Sequence, residues 1–159
     1  MYDSTKDTRE HQERVAYLIG YFSGELHNRA LEHDDSKLEE PEKSIFDEFT
    51  PKLKETTYWS DEYKGYLEQM QVALKHHYTN NRHHAECHEN GISGMNLVDI
   101  VEMICDWKAA SERHADGDIM KSIKINKERF GYSDELESIL KNTAELLSRG
   151  RRKDVDSIT

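Results

Sequence analysis

Five of the nine histidines in this 159-residue chain fall within "HHYTNNRHHAECH" (76–88). Imidazoles crowded in this way are read either as donors to a metal ion or as a solvated loop. Elsewhere, His33-Asp34 places an imidazole beside a carboxylate where a helical segment ends. Two adjacent side chains cannot share one helix face, so both would bind a single ion only with a local break; the same pair also suits an ordinary helix end or turn. His11 lies four residues before Val15 on an apolar stripe, and alone it reads as a core histidine with one hydrogen bond. Asp106 sits in the most apolar segment, "MNLVDIVEMICDWKAASERHA" (95–115), where Asp99, Glu102, Asp106 and Arg113 form a narrow polar stripe. The plain reading of that stripe is a water-facing edge. Each plain reading is good alone; their joint occurrence is what asks for an explanation.

The elements that would position these residues are helical. Val15, Leu18, Ile19, Phe22 and Leu26 recur at helical spacing and predict a helix over 4–29. Pro41 in "LEEPEK" (38–43) breaks the pattern, and "SIFDEF" (44–49) predicts a short helix with Pro51 after it. A strong helix is predicted over 60–78, with Ser60 as N-cap and acidic residues in its first turn. Its inward face, through Tyr63, Tyr66, Leu67, Met70, Ala73 and Leu74, continues to His77, while His76 points about 100° away. Residues 80–94 read as loop, punctuated by Gly91 and Gly94, with His88 as a loop residue. Helices are predicted over 95–115, 118–130 and 134–149, with Gly131 and Gly150 as stops and Ser133 as a cap. No alternating strand pattern, internal repeat or linker is found. The expectation is an all-α single domain of five to seven helices over 1–150, followed by a flexible tail at 151–159.

A net charge of −10 disfavours an extended nucleic-acid footprint, which needs a basic face. Cys87 and Cys105 form no CxxC pair and suggest no disulfide framework. The charged start "MYDSTKDTREHQER" carries no apolar signal region, and no apolar run approaches the roughly 18–20 residues of a membrane helix. The expected location is the cytoplasm, with no membrane partner.

The order His…His-Asp…Asp, carried by "HQERVAYLIG" (11–20), "LEHDDSK" (31–37) and "VEMICDWKAA" (101–110), resembles the HD-domain metal-dependent phosphohydrolases. "LEHDDSK" is similar to the HD-x-x-K variant of that superfamily. The resemblance implies an HD-type helical bundle in which His11, His33, Asp34 and Asp106 bind one ion. "HHYTNNRHH" resembles the extra histidines of HD proteins that hold a second metal, which implies His77 and one or both of His83 and His84 at a second ion. His27 and His114 are expected outside the centre. "HYTNNRHHAE" together with "EMICDW" also looks like an uncharacterised family from bacteria and their phages, over most of residues 8–147. Downstream of the His-Asp pair, "LEEPEK" supplies several carboxylates but no nucleotidase signature that selects one.

Two or three imidazoles with two carboxylates suit Mn²⁺, Fe²⁺, Co²⁺, Ni²⁺ or Zn²⁺ better than Mg²⁺ or Ca²⁺, which prefer oxygen. Such an ion lowers the pKa of a water it holds. Asp34 would bridge two ions through its two oxygens, and Lys37 and Arg82 are the nearest candidates in sequence to stabilise phosphoryl charge. Their plain reading is solvated surface charge. The expected function is hydrolysis of a nucleotide or another small phosphate ester, through a metal-activated water and one or two ions. Two alternatives stay open: a di-iron HD-type oxygenase, and a non-catalytic protein that keeps the fold to bind a nucleotide or a protein.

Overall fold

The computed structural model describes residues 2–57, 60–113 and 117–155. It is all-α: no strand occurs among the described residues. The helices are α1 (Thr5–Glu32), α2 (Glu42–Glu55), α3 (Asp61–Gln69), α4 (Gln71–Asn80), α5 (Leu97–Ser111), α6 (Ile119–Phe130) and α7 (Asp134–Val155). Short 3₁₀ turns at Asp35–Leu38, Ala85–Cys87 and Gly91–Gly94 join them. The chain divides into two compact units, Met1–His33 and Asp34–Thr159. No described helix is long and apolar enough to cross a membrane.

The first unit is α1, a helix that carries Arg29 in its last turn and is closed by His33. In the second unit α2 packs on α3, on α4 and on the Asp35–Leu38 turn, while α5, α6 and α7 pack on one another. Met103 and Ile104 from α5, Ile119 and Ile123 from α6, Leu140 and Ala144 from α7, and Tyr132 between the last two helices form one buried cluster. Each fully buried methionine, isoleucine or leucine side chain there contributes about 1.5–3 kcal/mol. The Tyr132 hydroxyl is satisfied there by donating to the Ile123 carbonyl. Phe49, Met70, Ala73 and Ala85 are buried on the side of α2 and α4.

Local chemistry sets most helix ends. The Ser60 side chain accepts from the Tyr63 backbone N–H and starts α3. Asn96 and Asp99 form a reciprocal capping box at the start of α5. Asp118 caps α6, which Gly131 ends at φ 65°, a left-handed conformation that suits glycine.

Three expectations are corrected. The short helix over 44–49 is α2, which runs from Glu42 to Glu55 with Pro51 inside it; proline removes one hydrogen bond but does not oblige the chain to stop. The single helix over 60–78 is two, α3 and α4, parted at Met70 with ψ 2°. Four-residue hydrogen bonds nevertheless run through Met70, whose N–H donates to the Tyr66 carbonyl and whose carbonyl accepts from Leu74. The helical phase therefore survives the break. Gly150 does not stop α7, whose backbone is helical to Val155; its neighbours Arg149, Arg151 and Arg152 are good helix formers. Of the expected tail, 156–159 lie outside the described residues.

Candidate metal centre

Asp34 opens the second unit with φ 62° and ψ 15°. Aspartate is among the few residues that tolerate this left-handed conformation. The Asp35–Leu38 turn brings Lys37 back onto it: the Lys37 amide donates to the Asp34 carbonyl at 2.9 Å and its ammonium reaches Asp34 Oδ2 at 2.6 Å. That ammonium also lies 5.3 Å above the Phe46 ring centre. The other carboxylate oxygen, Oδ1, lies 3.3 Å from His77 Nε2 and 3.5 Å from His83 Nε2.

Both of these imidazoles have a carboxylate behind them. His77, on the inner face of α4, is 2% exposed, and its Nδ1 lies 2.9 Å from Glu42 Oε2. Glu42 is fully buried at the first position of α2. His83, in the segment after α4, is also buried, with Nδ1 3.0 Å from Glu102 Oε1 of α5. Carboxylates that accept from Nδ1 leave Nε2 as the nitrogen presented to a ligand. His84 packs beside them, its ring centre 4.1 Å from that of His83 and 4.7 Å from that of His77. Asp34, His77, His83 and His84 each offer one donor atom, all within 4.8 Å of one another.

His84 Nε2 is a buried atom without a hydrogen-bond partner among the described residues. Burial, and then the neighbouring His83 and His77, push the His84 pKa down to about 3, against the opposing pull of Asp106 and Asp34. The ring is therefore neutral near pH 7 and retains a lone pair. A cation would satisfy this buried nitrogen. Three imidazoles with one carboxylate are the donor set of a transition ion rather than of Mg²⁺ or Ca²⁺, so the residues fit the expected group.

The polar stripe of α5 is not a water-facing edge. Asp99 is fully buried, Glu102 meets His83, and Asp106 is half-buried with its charge acting on His84 and Tyr78. Arg82 Nε and Nη2 donate to the two oxygens of Asp99 at 3.1 and 2.8 Å. The structure thus gives Arg82 a bidentate bond to a buried carboxylate. His88, expected as a plain loop residue, is tied to the Arg82 carbonyl through Nε2 at 2.9 Å. His11 and His33 belong to the first unit, His11 exposed and His33 half-buried. His27 is exposed on the same helix, and His114 lies outside the described residues.

Sequence reasoning missed Glu42 and the inward role of Glu102. No spacing links Glu42 to a histidine 35 positions away. Glu102 did carry a signal: a carboxylate followed directly by Met103 and Ile104 must find a partner once the helix packs.

The model of a protein family of unknown function, DUF5662, matches residues 1–149. The chain belongs to the DUF5662 family. No curated protein and no solved structure matches it. In this DUF5662 chain every residue of the candidate centre falls inside the matched segment.

Proposed function

We propose that the protein is an HD-type metal-dependent phosphohydrolase that acts on a nucleotide or another small phosphate ester. One observation carries the reading: Asp34 Oδ1 faces the Nε2 atoms of His77 and His83, each backed at Nδ1 by a carboxylate. That arrangement brings together residues from "HDDSK" and from the histidine cluster, the two sequence features that resemble the HD proteins.

His77, His83, His84 and Asp34 would hold one divalent ion of Mn, Fe, Co, Ni or Zn. His11, His33 and Asp106 are the residues that the resemblance adds, for one or two ions in all. When bound, such an ion supplies Lewis acidity and lowers the pKa of water. The chain's own residues do the rest. Glu42 and Glu102 fix the imidazole rings. Lys37, already beside Asp34, would donate to a phosphoryl oxygen, and its charge would offset the negative charge that develops there. Arg82, held by Asp99, braces the segment that carries His83 and His84.

The test is elemental analysis of protein purified without added metal, followed by a phosphate-release screen over nucleotides and small phosphate esters. Retained transition metal and chelator-sensitive release are expected. A protein that takes up none of the five metals and releases no phosphate would overturn the reading. Nucleotide retention without release would make it a binding protein instead.

A further inference from the structure

Glu42 is a fully buried carboxylate, and among the described residues its hydrogen-bond partners include no lysine or arginine. Its oxygens meet His76 Nδ1 at 2.7 Å, His77 Nδ1 at 2.9 Å and the Ser36 hydroxyl at 3.0 Å. The N-terminal dipole of α2 offsets part of the cost of burying the anion. We infer that Glu42 is a positioning residue for this centre, one carboxylate that holds the His77 ring with its proton on Nδ1 and its lone pair on Nε2, toward Asp34. The inference deepens the metal-centre reading and rests on it only for the second readout below.

The hydrogen-bond network supports this assignment of the proton. Among the described residues two other donors lie near His77 Nδ1: Asn81 Nδ2 at 3.0 Å and Ser36 Oγ at 3.2 Å. Either would favour the opposite tautomer by donating to a bare Nδ1. Both have better acceptors. The two N–H groups of Asn81 go to Ser36 Oγ and to the His77 carbonyl, each at 2.8 Å. The single hydroxyl proton of Ser36 goes to Glu42 Oε2, a charged and nearer acceptor. What remains is Nδ1 facing Glu42 Oε2 at 2.9 Å, and two bare acceptors at that distance would repel. The proton therefore sits on Nδ1. His76 donates in the same way to Oε1, so the carboxylate grips two consecutive residues of α4. Glu42 would not itself touch an ion; it acts through His77.

Long-range proton–nitrogen NMR of the metal-free protein at mildly alkaline pH reads which ring nitrogen of His77 carries the proton. The wild type should show it on Nδ1. Glu42→Met keeps the side-chain length but removes both acceptors. Asn81 and Ser36 are then the neighbours of Nδ1 and should donate to it, moving the ring proton to Nε2. With that lone pair lost, Zn²⁺ affinity should fall about ten- to a hundredfold, with helical circular dichroism unchanged. A bare Nδ1 in the wild type overturns the inference. So does a Glu42→Met protein with an unmoved ring proton and unchanged Zn²⁺ affinity. If Glu42→Met does not fold, the wild-type spectrum alone decides. If the wild type binds no Zn²⁺ or other transition metal, the proposed function fails, while the ring protonation of His77 still tests the role of Glu42.

Discussion

Glu102 Oε1 lies 3.0 Å from His83 Nδ1, and the two side chains are only 9% and 2% exposed. Glu102→Gln keeps an oxygen that can accept from Nδ1, so it should cost less stability than Glu102→Ala. The alanine variant leaves a buried ring N–H facing a void, a loss of about 1–3 kcal/mol. Urea denaturation of both variants checks the ordering. Two proteins as stable as the wild type would return the α5 stripe to solvent.

His77 and His76 share Glu42 but not their exposure. His77→Ala removes an inward donor and should lower metal stoichiometry or affinity. His76, whose side chain is 41% exposed, should leave metal content intact when replaced by alanine. His76→Ala should still cost about 1 kcal/mol or more, because a fully buried Glu42 oxygen loses its partner. Metal analysis beside denaturation separates the two effects. Equal loss of metal in both variants would contradict the helical phasing of α4.

Asp99 and Asp106 stand seven residues apart on α5 and should fail differently. Asp99→Ala removes a capping residue and the bidentate partner of Arg82. Its cost should be roughly 2–3 kcal/mol, below the range for fully buried pairs because the Arg82 side chain is 51% exposed. Asp106→Asn keeps the shape of the side chain, so it should cost less stability than Asp99→Ala yet bind metal more weakly. Full metal occupancy in Asp106→Asn would remove Asp106 from the centre.

His84 sets a pH dependence for the metal-free protein. Its folded-state pKa, about 3, lies below the ordinary value of 6.5, so below pH 6.5 the unfolded chain binds the proton more readily. The stability linked to His84 is present in full above pH 6.5 and is lost as pH falls toward 3. Within that window the slope is up to about 1.4 kcal/mol per pH unit. His84→Phe should flatten the decline measured by urea denaturation. Identical slopes for variant and wild type across that range would mean that His84 takes up its proton in the folded state.

The helices of this protein were legible because their apolar residues repeat at the helical period and their ends carry caps such as Ser60, Ser133 and Gly131. The contrast between His77 and His76 was also legible, since phase is carried along a helix and passes unbroken through Met70. Pro51 misled because its cost is finite and α2 bears it. Glu42 was illegible for a different reason. A buried carboxylate is defined by what faces it, and its partners Ser36, His76 and His77 lie on other elements. Asp99 and Glu102 were visible as a stripe, but only packing decides whether a stripe meets water or histidines.

Asp34 combines a carboxylate that faces the His77 and His83 imidazoles with a left-handed backbone at φ 62°. Only glycine, asparagine and aspartate adopt that conformation with any regularity, and of the three only aspartate is charged. A single base change in an aspartate codon yields asparagine or glycine. The genetic code therefore puts two replacements within one step that preserve the turn while deleting the anion. Lineages under relaxed selection can lose the anion at this position and still inherit a folded chain.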